Sequence, residues 1–78
     1  GGAARAPAAW LDELRRLDQA LRAGDERAVS LFAAWAPEFA ATFDGWDAEA
    51  IQRCLDLRDF DGAHAALRWV IHKHQLVL

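Results

Sequence analysis

The chain lacks several of the features that mark common protein classes. One cysteine, Cys54, excludes an internal disulfide and fits a reducing compartment. There is neither an apolar run of membrane-spanning length nor a secretory signal, so we expect a cytoplasmic protein with no membrane contact. The net charge of −3 is opposite in sign to that of most domains that grip nucleic acid by its phosphates. We therefore do not expect this segment to hold nucleic acid electrostatically.

What the chain has is apolar bulk in a short length. Its hydrophobic fraction of 54% is too high for a disordered segment, and much of it is alanine, which favours helix. Seventy-eight residues make one domain with a core near the lower limit for independent stability. We interpret residues 1–6 as a flexible lead-in or tag remnant and residues 7–78 as a single helical domain. Such a domain has difficulty burying four Trp, so we expect some of them to serve a partner surface.

A first helix is predicted from apolar residues at steps of four, three and four, which form one core-facing seam. Pro7 can open this helix and Gly24 can end it. Asp25 is then the N-cap of a second helix, which must fold back on the first as a long hairpin. The first seam consists of Trp10, Leu14, Leu17 and Leu21.

The second helix repeats this spacing in a seam formed by Val29, Phe32, Ala36, Phe39 and Phe43. Pro37 lies in its middle, where proline removes a hydrogen bond and crowds the preceding turn. The unbroken phase of the seam favours a kink, and a break with Pro37 restarting a short helix is the alternative.

A shorter hairpin follows. Asp44-Gly45 is predicted to stop the second helix, and Asp47 to cap a third helix from about Ala48 to Leu57, with Trp46 packed on Ile51 as a hydrophobic staple. The last helix begins at Asp59 or Asp61. The predicted fold class is therefore all-α, a small bundle of four helices.

The three histidines near the end suggest a metal or acid–base site, but their spacing argues against one. His72 and His74 point about 200° apart on a helix, and His64 lies about 12 Å away along the axis from His72. Zinc sites normally show His or Cys pairs with two to five residues between the two ligands, and no such pair is present. We predict no catalytic, metal-binding or cofactor-binding residues, no cofactor, and no enzymatic activity.

The tryptophans are more informative about function. Trp10 and Trp46 fit core positions, whereas Trp35 and Trp69 lie beside the apolar stripes of their helices. We predict an interaction surface formed by Trp35, Trp69, Arg68 and Leu31.

An ordered set of short motifs spans roughly residues 14–76. It consists of Arg15-Arg16-Leu17-Asp18-Gln19, Pro37-Glu38-Phe39-Ala40, Asp59-Phe60-Asp61-Gly62-Ala63, and Arg68-Trp69-Val70-Ile71 with a following His. This order resembles the small terminase subunits of Peduovirus-like temperate phages. The resemblance implies a non-ATPase DNA-packaging subunit, active in the host cytoplasm, that forms a homo-oligomer and delivers DNA to the large motor subunit. It implies that this segment is the oligomerisation or docking part, with DNA contacted only through regions outside this chain.

A second interpretation is a helical adaptor of repeat-like type that binds another protein and has no enzymatic activity. It comes from a weak internal echo, in which Gly24-Asp25 precedes Ala28 much as Asp59-Phe60 precedes Ala63.

Overall fold

The structure, a computed structural model, describes residues 6–78, so most of the predicted lead-in lies outside the described residues. After one turn of 3-10 helix at Pro7–Trp10, the chain forms four helices and, within residues 6–78, no strand. The prediction of an all-α four-helix bundle is confirmed. The helices are α1 Leu11–Arg22, α2 Arg27–Thr42, α3 Gly45–Asp56 and α4 Phe60–Lys73.

Short turns make consecutive helices antiparallel neighbours. α2 packs on α3, α3 packs on α4, and α1 closes the bundle by packing on both α4 and α2. The α1–α2 and α3–α4 turns lie side by side at one end, because Arg58 Nε is 2.7 Å from Glu26 Oε1. Each helix therefore turns one stripe toward a common centre.

The core follows the predicted seams. Trp10, Leu14, Leu17 and Leu21 of the first seam are all buried, and so are Phe32 and Phe39 of the second. Val29 and Phe43 are half-buried and pack against this core.

Trp10 organises the aromatic part of the core. Its ring meets those of Trp35, Phe39 and Phe43 edge-on, with centroids 5.8 to 6.2 Å apart. Its Nε1 donates a hydrogen bond to Thr42 Oγ1 at 3.2 Å. The ring contacts and this hydrogen bond together hold the first seam against the C-terminal half of α2.

The predicted cap of α4 is confirmed, because Asp59 Oδ1 accepts a hydrogen bond from the Gly62 N–H at 2.9 Å. At α2 the N-cap residue is Glu26, which makes no side-chain cap hydrogen bond, and the predicted cap Asp25 lies one residue earlier. Asp25 Oδ1 nevertheless accepts a hydrogen bond from the Arg27 backbone N–H at 2.9 Å. Gly24, with φ of 63°, ends α1 in a Schellman motif, since Asp25 N donates to Ala20 O at 2.8 Å. The predicted end of α1 is confirmed.

The predicted start of α3 is wrong. Asp44, not Asp47, caps this helix by accepting a hydrogen bond from the Trp46 N–H at 2.7 Å, and α3 therefore begins at Gly45 and ends at Asp56. This earlier start places Trp46 inside the first turn, where it is 81% exposed instead of stapled onto Ile51. Asp47 is left free to bind Lys73 Nζ at 2.6 Å.

The alternative of a break at Pro37 is also wrong, because α2 continues through it to Thr42. Phe32 and Phe39, on either side of Pro37, are both fully buried in the same core. Burial of two such rings is worth about 1.5–3 kcal/mol each, which offsets one missing hydrogen bond and the steric cost of proline.

Candidate interaction surfaces

The structure does not bring the four predicted interface residues together on one surface. Leu31 lies in a groove between α1 and α2, and Trp69 lies in a depression beside the C-terminal tail. Trp35 is half-buried, with its ring 6.2 Å from that of Trp10, so part of it belongs to the core margin. Arg68 is exposed on α4 and faces a third pocket, near α1.

The first surface, the Trp69 depression, is formed by the end of α4 and the tail. Trp69 is 56% exposed, and its ring stacks on that of His72 with centroids 6.2 Å apart and planes 29° apart. Lys73 Nζ lies 5.9 Å from the Trp69 ring centroid while pairing with Asp47. The depression is lined by Trp69, His72, Lys73, Gln75, Leu76 and Val77.

The tail completes this depression because α4 ends in a Schellman motif. Gln75 has φ of 56°, and Leu76 N donates to Ile71 O at 2.9 Å. The motif turns the chain so that Leu76 packs against the core while Val77 stays 84% exposed. Apolar surface from Trp69 and Val77 thus faces solvent at one place.

The second surface, the α1/α2 groove, is lined by Arg16, Gln19, Ala20 and Ala23 before the turn and by Asp25, Arg27, Ser30 and Leu31 after it. The alanines leave space between the two helices. Arg27 Nε lies 3.8 Å from Asp25 Oδ2, whereas within residues 6–78 no carboxylate lies within 4.0 Å of the Arg16 guanidinium. Most of the surface that lines this groove is apolar.

A polar cluster joins α1 to α4, and the sequence reasoning missed its contact between Asp18 and His64. Asp18 is only 7% exposed; its Oδ1 accepts from His64 Nε2 at 2.8 Å, and Arg22 Nη1 lies 3.6 Å from its Oδ2. Asp18 follows Leu14 by four residues and precedes Leu21 by three. This helical spacing predicts that Asp18 lies on the buried seam.

Within residues 6–78 no group of three or more His, Cys, Asp or Glu side chains could hold a metal ion. Cys54 is half-buried against the core. None of the described helices combines the length and apolarity needed to cross a bilayer.

Comparisons of the chain with known protein families, with curated proteins and with solved structures gave no match in any of the three.

Proposed function

We propose that this chain is the oligomerisation and partner-docking domain of a phage DNA-packaging subunit of the small terminase type. The observation that carries the proposal is the Trp69 depression. A tryptophan 56% exposed beside an exposed Val77 places large apolar area in water on a chain whose core is already filled from all four helices. Tryptophan is the residue most enriched among those that dominate binding energy at interfaces.

The residues behind the terminase resemblance support the proposal because they fall into two groups. Asp59, Gly62 and Ala63 build the start of α4, through the Asp59 cap and the complete burial of Ala63. Arg68 and Trp69 are exposed and are not needed to close the core. A pattern that combines a structural turn with an exposed Arg-Trp pair suits a helix that presents a contact surface.

On this proposal the segment assembles with copies of itself and docks on the large packaging subunit. Contacts with DNA are made by regions outside this chain, in keeping with its net charge of −3.

The second candidate is a helical adaptor that binds a different protein without self-assembly. The α1/α2 groove favours it, because this groove is a separate, mostly apolar surface on other helices than the Trp69 depression. The two candidates differ in what the isolated chain does at increasing concentration.

The test is light scattering coupled to size-exclusion chromatography, on the natural chain and on Trp69→Ala. We expect a defined oligomer for the natural chain and a shift toward monomer for Trp69→Ala, with unchanged helical circular dichroism. Trp46→Ala is the matched control, since Trp46 is also exposed but does not line the depression.

Three results would contradict the proposal. A natural chain that stays monomeric at all concentrations would leave the adaptor as the better interpretation. Unfolding of Trp69→Ala would mean that Trp69 holds the bundle together, and equal dissociation by Trp46→Ala would mean that the depression is not the contact surface.

A further inference from the structure

We propose that the α1/α2 groove binds an acidic amphipathic helix of a partner protein. This inference deepens the proposed function and rests on it for the existence of a protein partner. The groove is defined by the eight residues given above, on helices other than the one that carries Trp69.

The shape of the groove suits a helix. Its apolar surface comes from Ala20, Ala23 and Leu31, and the two small side chains let a partner backbone approach closely. Along α1 the groove extends from Arg16 to Ala23, which is about 10 Å, or two turns of a docked helix. Leu31 is half-buried, so a partner side chain can cover the part that remains in water.

The charge of the groove selects an acidic partner. Arg16 and Arg27 come from opposite sides of the groove, and Asp25 is the only carboxylate among its lining residues. Asp25 is already engaged, because one oxygen accepts a hydrogen bond from the Arg27 backbone N–H and the other lies 3.8 Å from Arg27 Nε. The Arg16 guanidinium has no carboxylate within 4.0 Å in residues 6–78 and can form a bidentate pair with an incoming Glu or Asp.

Nucleic acid fits this groove less well. A single uncompensated guanidinium on a domain of net charge −3 offers few phosphate contacts, whereas one or two carboxylates on a helix match it. An apolar floor between arginines also matches a helix with leucines along one stripe and glutamates at its edges.

The experiment uses two fluorescein-labelled, capped peptides of about 16 residues that share leucines at i, i+3, i+4 and i+7. One carries Glu at the flanking positions and the other carries Lys. Fluorescence anisotropy should give saturable binding of the Glu peptide and binding at least about tenfold weaker for the Lys peptide. Amide chemical shifts in the natural chain should move at Ala20, Ala23 and Ser30.

Arg16→Glu should weaken binding of the Glu peptide by about tenfold or more. Arg15→Glu makes the same change of net charge one residue away, outside the groove, and should alter binding by less than about twofold, since Arg15 pairs with Asp12 at 3.4 Å. Equal loss in both variants would overturn the proposal, because only the net charge would then matter.

Three further outcomes would also overturn it: equal binding of the two peptides, shifts confined to the Trp69 depression, or displacement of the Glu peptide by duplex DNA. Failure of this inference is separable from failure of the proposed function. Trp69→Ala should bind the Glu peptide as the natural chain does, and Arg16→Glu should keep the natural oligomeric mass. If the Glu peptide does not bind while the oligomer persists, the inference about the groove is wrong and the proposed function is unaffected.

Discussion

The contact between Asp18 and His64 offers the sharpest test of how the bundle is closed, because it joins helices that are far apart in sequence. We predict that His64→Ala and Asp18→Ala each destabilise the fold, and that the double variant loses less than the sum of the two. The reason is that either single change leaves a polar partner behind, whereas the double change removes both groups.

The size of the effect follows from burial. The Asp18 side chain is 10% exposed and that of His64 is 30% exposed, so water can replace only part of their 2.8 Å hydrogen bond. Hydrogen bonds to charged groups contribute about 1.5–3 kcal/mol, and an Asp18 carboxylate that keeps only the Arg22 guanidinium, 3.6 Å away, adds a desolvation cost. We expect a loss of about 2 kcal/mol for His64→Ala and a coupling energy of about 1.5 kcal/mol in the cycle. That loss is large beside a total stability of about 4–12 kcal/mol for a domain of this length.

The assay is urea unfolding followed by far-UV circular dichroism, at one pH and at one protein concentration for all variants, because assembly adds to apparent stability. The control cycle uses Glu49 and Arg53 on α3, which are 2.8 Å apart with side chains 59% and 72% exposed. Its coupling should not exceed about 0.5 kcal/mol. A coupling below about 0.3 kcal/mol for Asp18 and His64 would refute the argument from burial.

Four further predictions concern the core and the helix ends, and urea unfolding measures each of them. Phe32→Ala should cost on the order of 2–5 kcal/mol because the ring is fully buried, and a smaller loss would mean that the core collapses around the cavity. Asp59→Ala should cost about 1 kcal/mol through loss of the α4 cap. Gly62→Ala should be close to neutral, because the new methyl group would overlap the Asp59 carboxylate whereas alanine favours helix over glycine by about 1 kcal/mol. In the Asp59→Ala background this overlap is absent, so Gly62→Ala should stabilise the fold by about 1 kcal/mol. A loss of stability in that background would contradict this reasoning. Gln75→Gly should stabilise by up to about 1 kcal/mol, since φ of 56° strains a residue with a side chain, and a destabilised variant would show that glutamine adopts this conformation without strain.

The parts of the fold that depend on one helix could be predicted, because helical periodicity is a local property. The four residues of the first seam are all buried, since steps of three and four place them on one stripe whatever they pack against. Asp44 and Asp47 are both competent N-caps, and sequence alone gave no reason to prefer the earlier one. The extended backbone at Asp44, with φ of −169° and ψ of 137°, is what selects it.

The candidate surfaces were harder to predict because they depend on how helices meet. Asp18 and His64 are 46 residues apart and become partners only when α4 packs on α1. The α1/α2 groove exists because of the space between two helices, which no single-helix pattern records. Trp69 could be predicted as a surface residue because it lies beside the apolar stripe of its helix. Val77 joins it in the depression only because the chain turns at Gln75, which helical spacing does not predict.

The separation of the two surfaces follows from the geometry of α4. Successive residues on a helix point about 100° apart, so Arg68 and Trp69 cannot share a face. His64, four residues before Arg68, binds Asp18 of α1, whereas Lys73, four residues after Trp69, binds Asp47 of α3. The Arg68 side of α4 therefore faces α1, and the Trp69 side faces α3 and the tail.

Because the groove lies beyond α1, between α1 and α2, a ligand in it and a second chain on the Trp69 depression contact different parts of the bundle. On the proposed function, assembly through the Trp69 depression would thus leave the α1/α2 groove open to a partner.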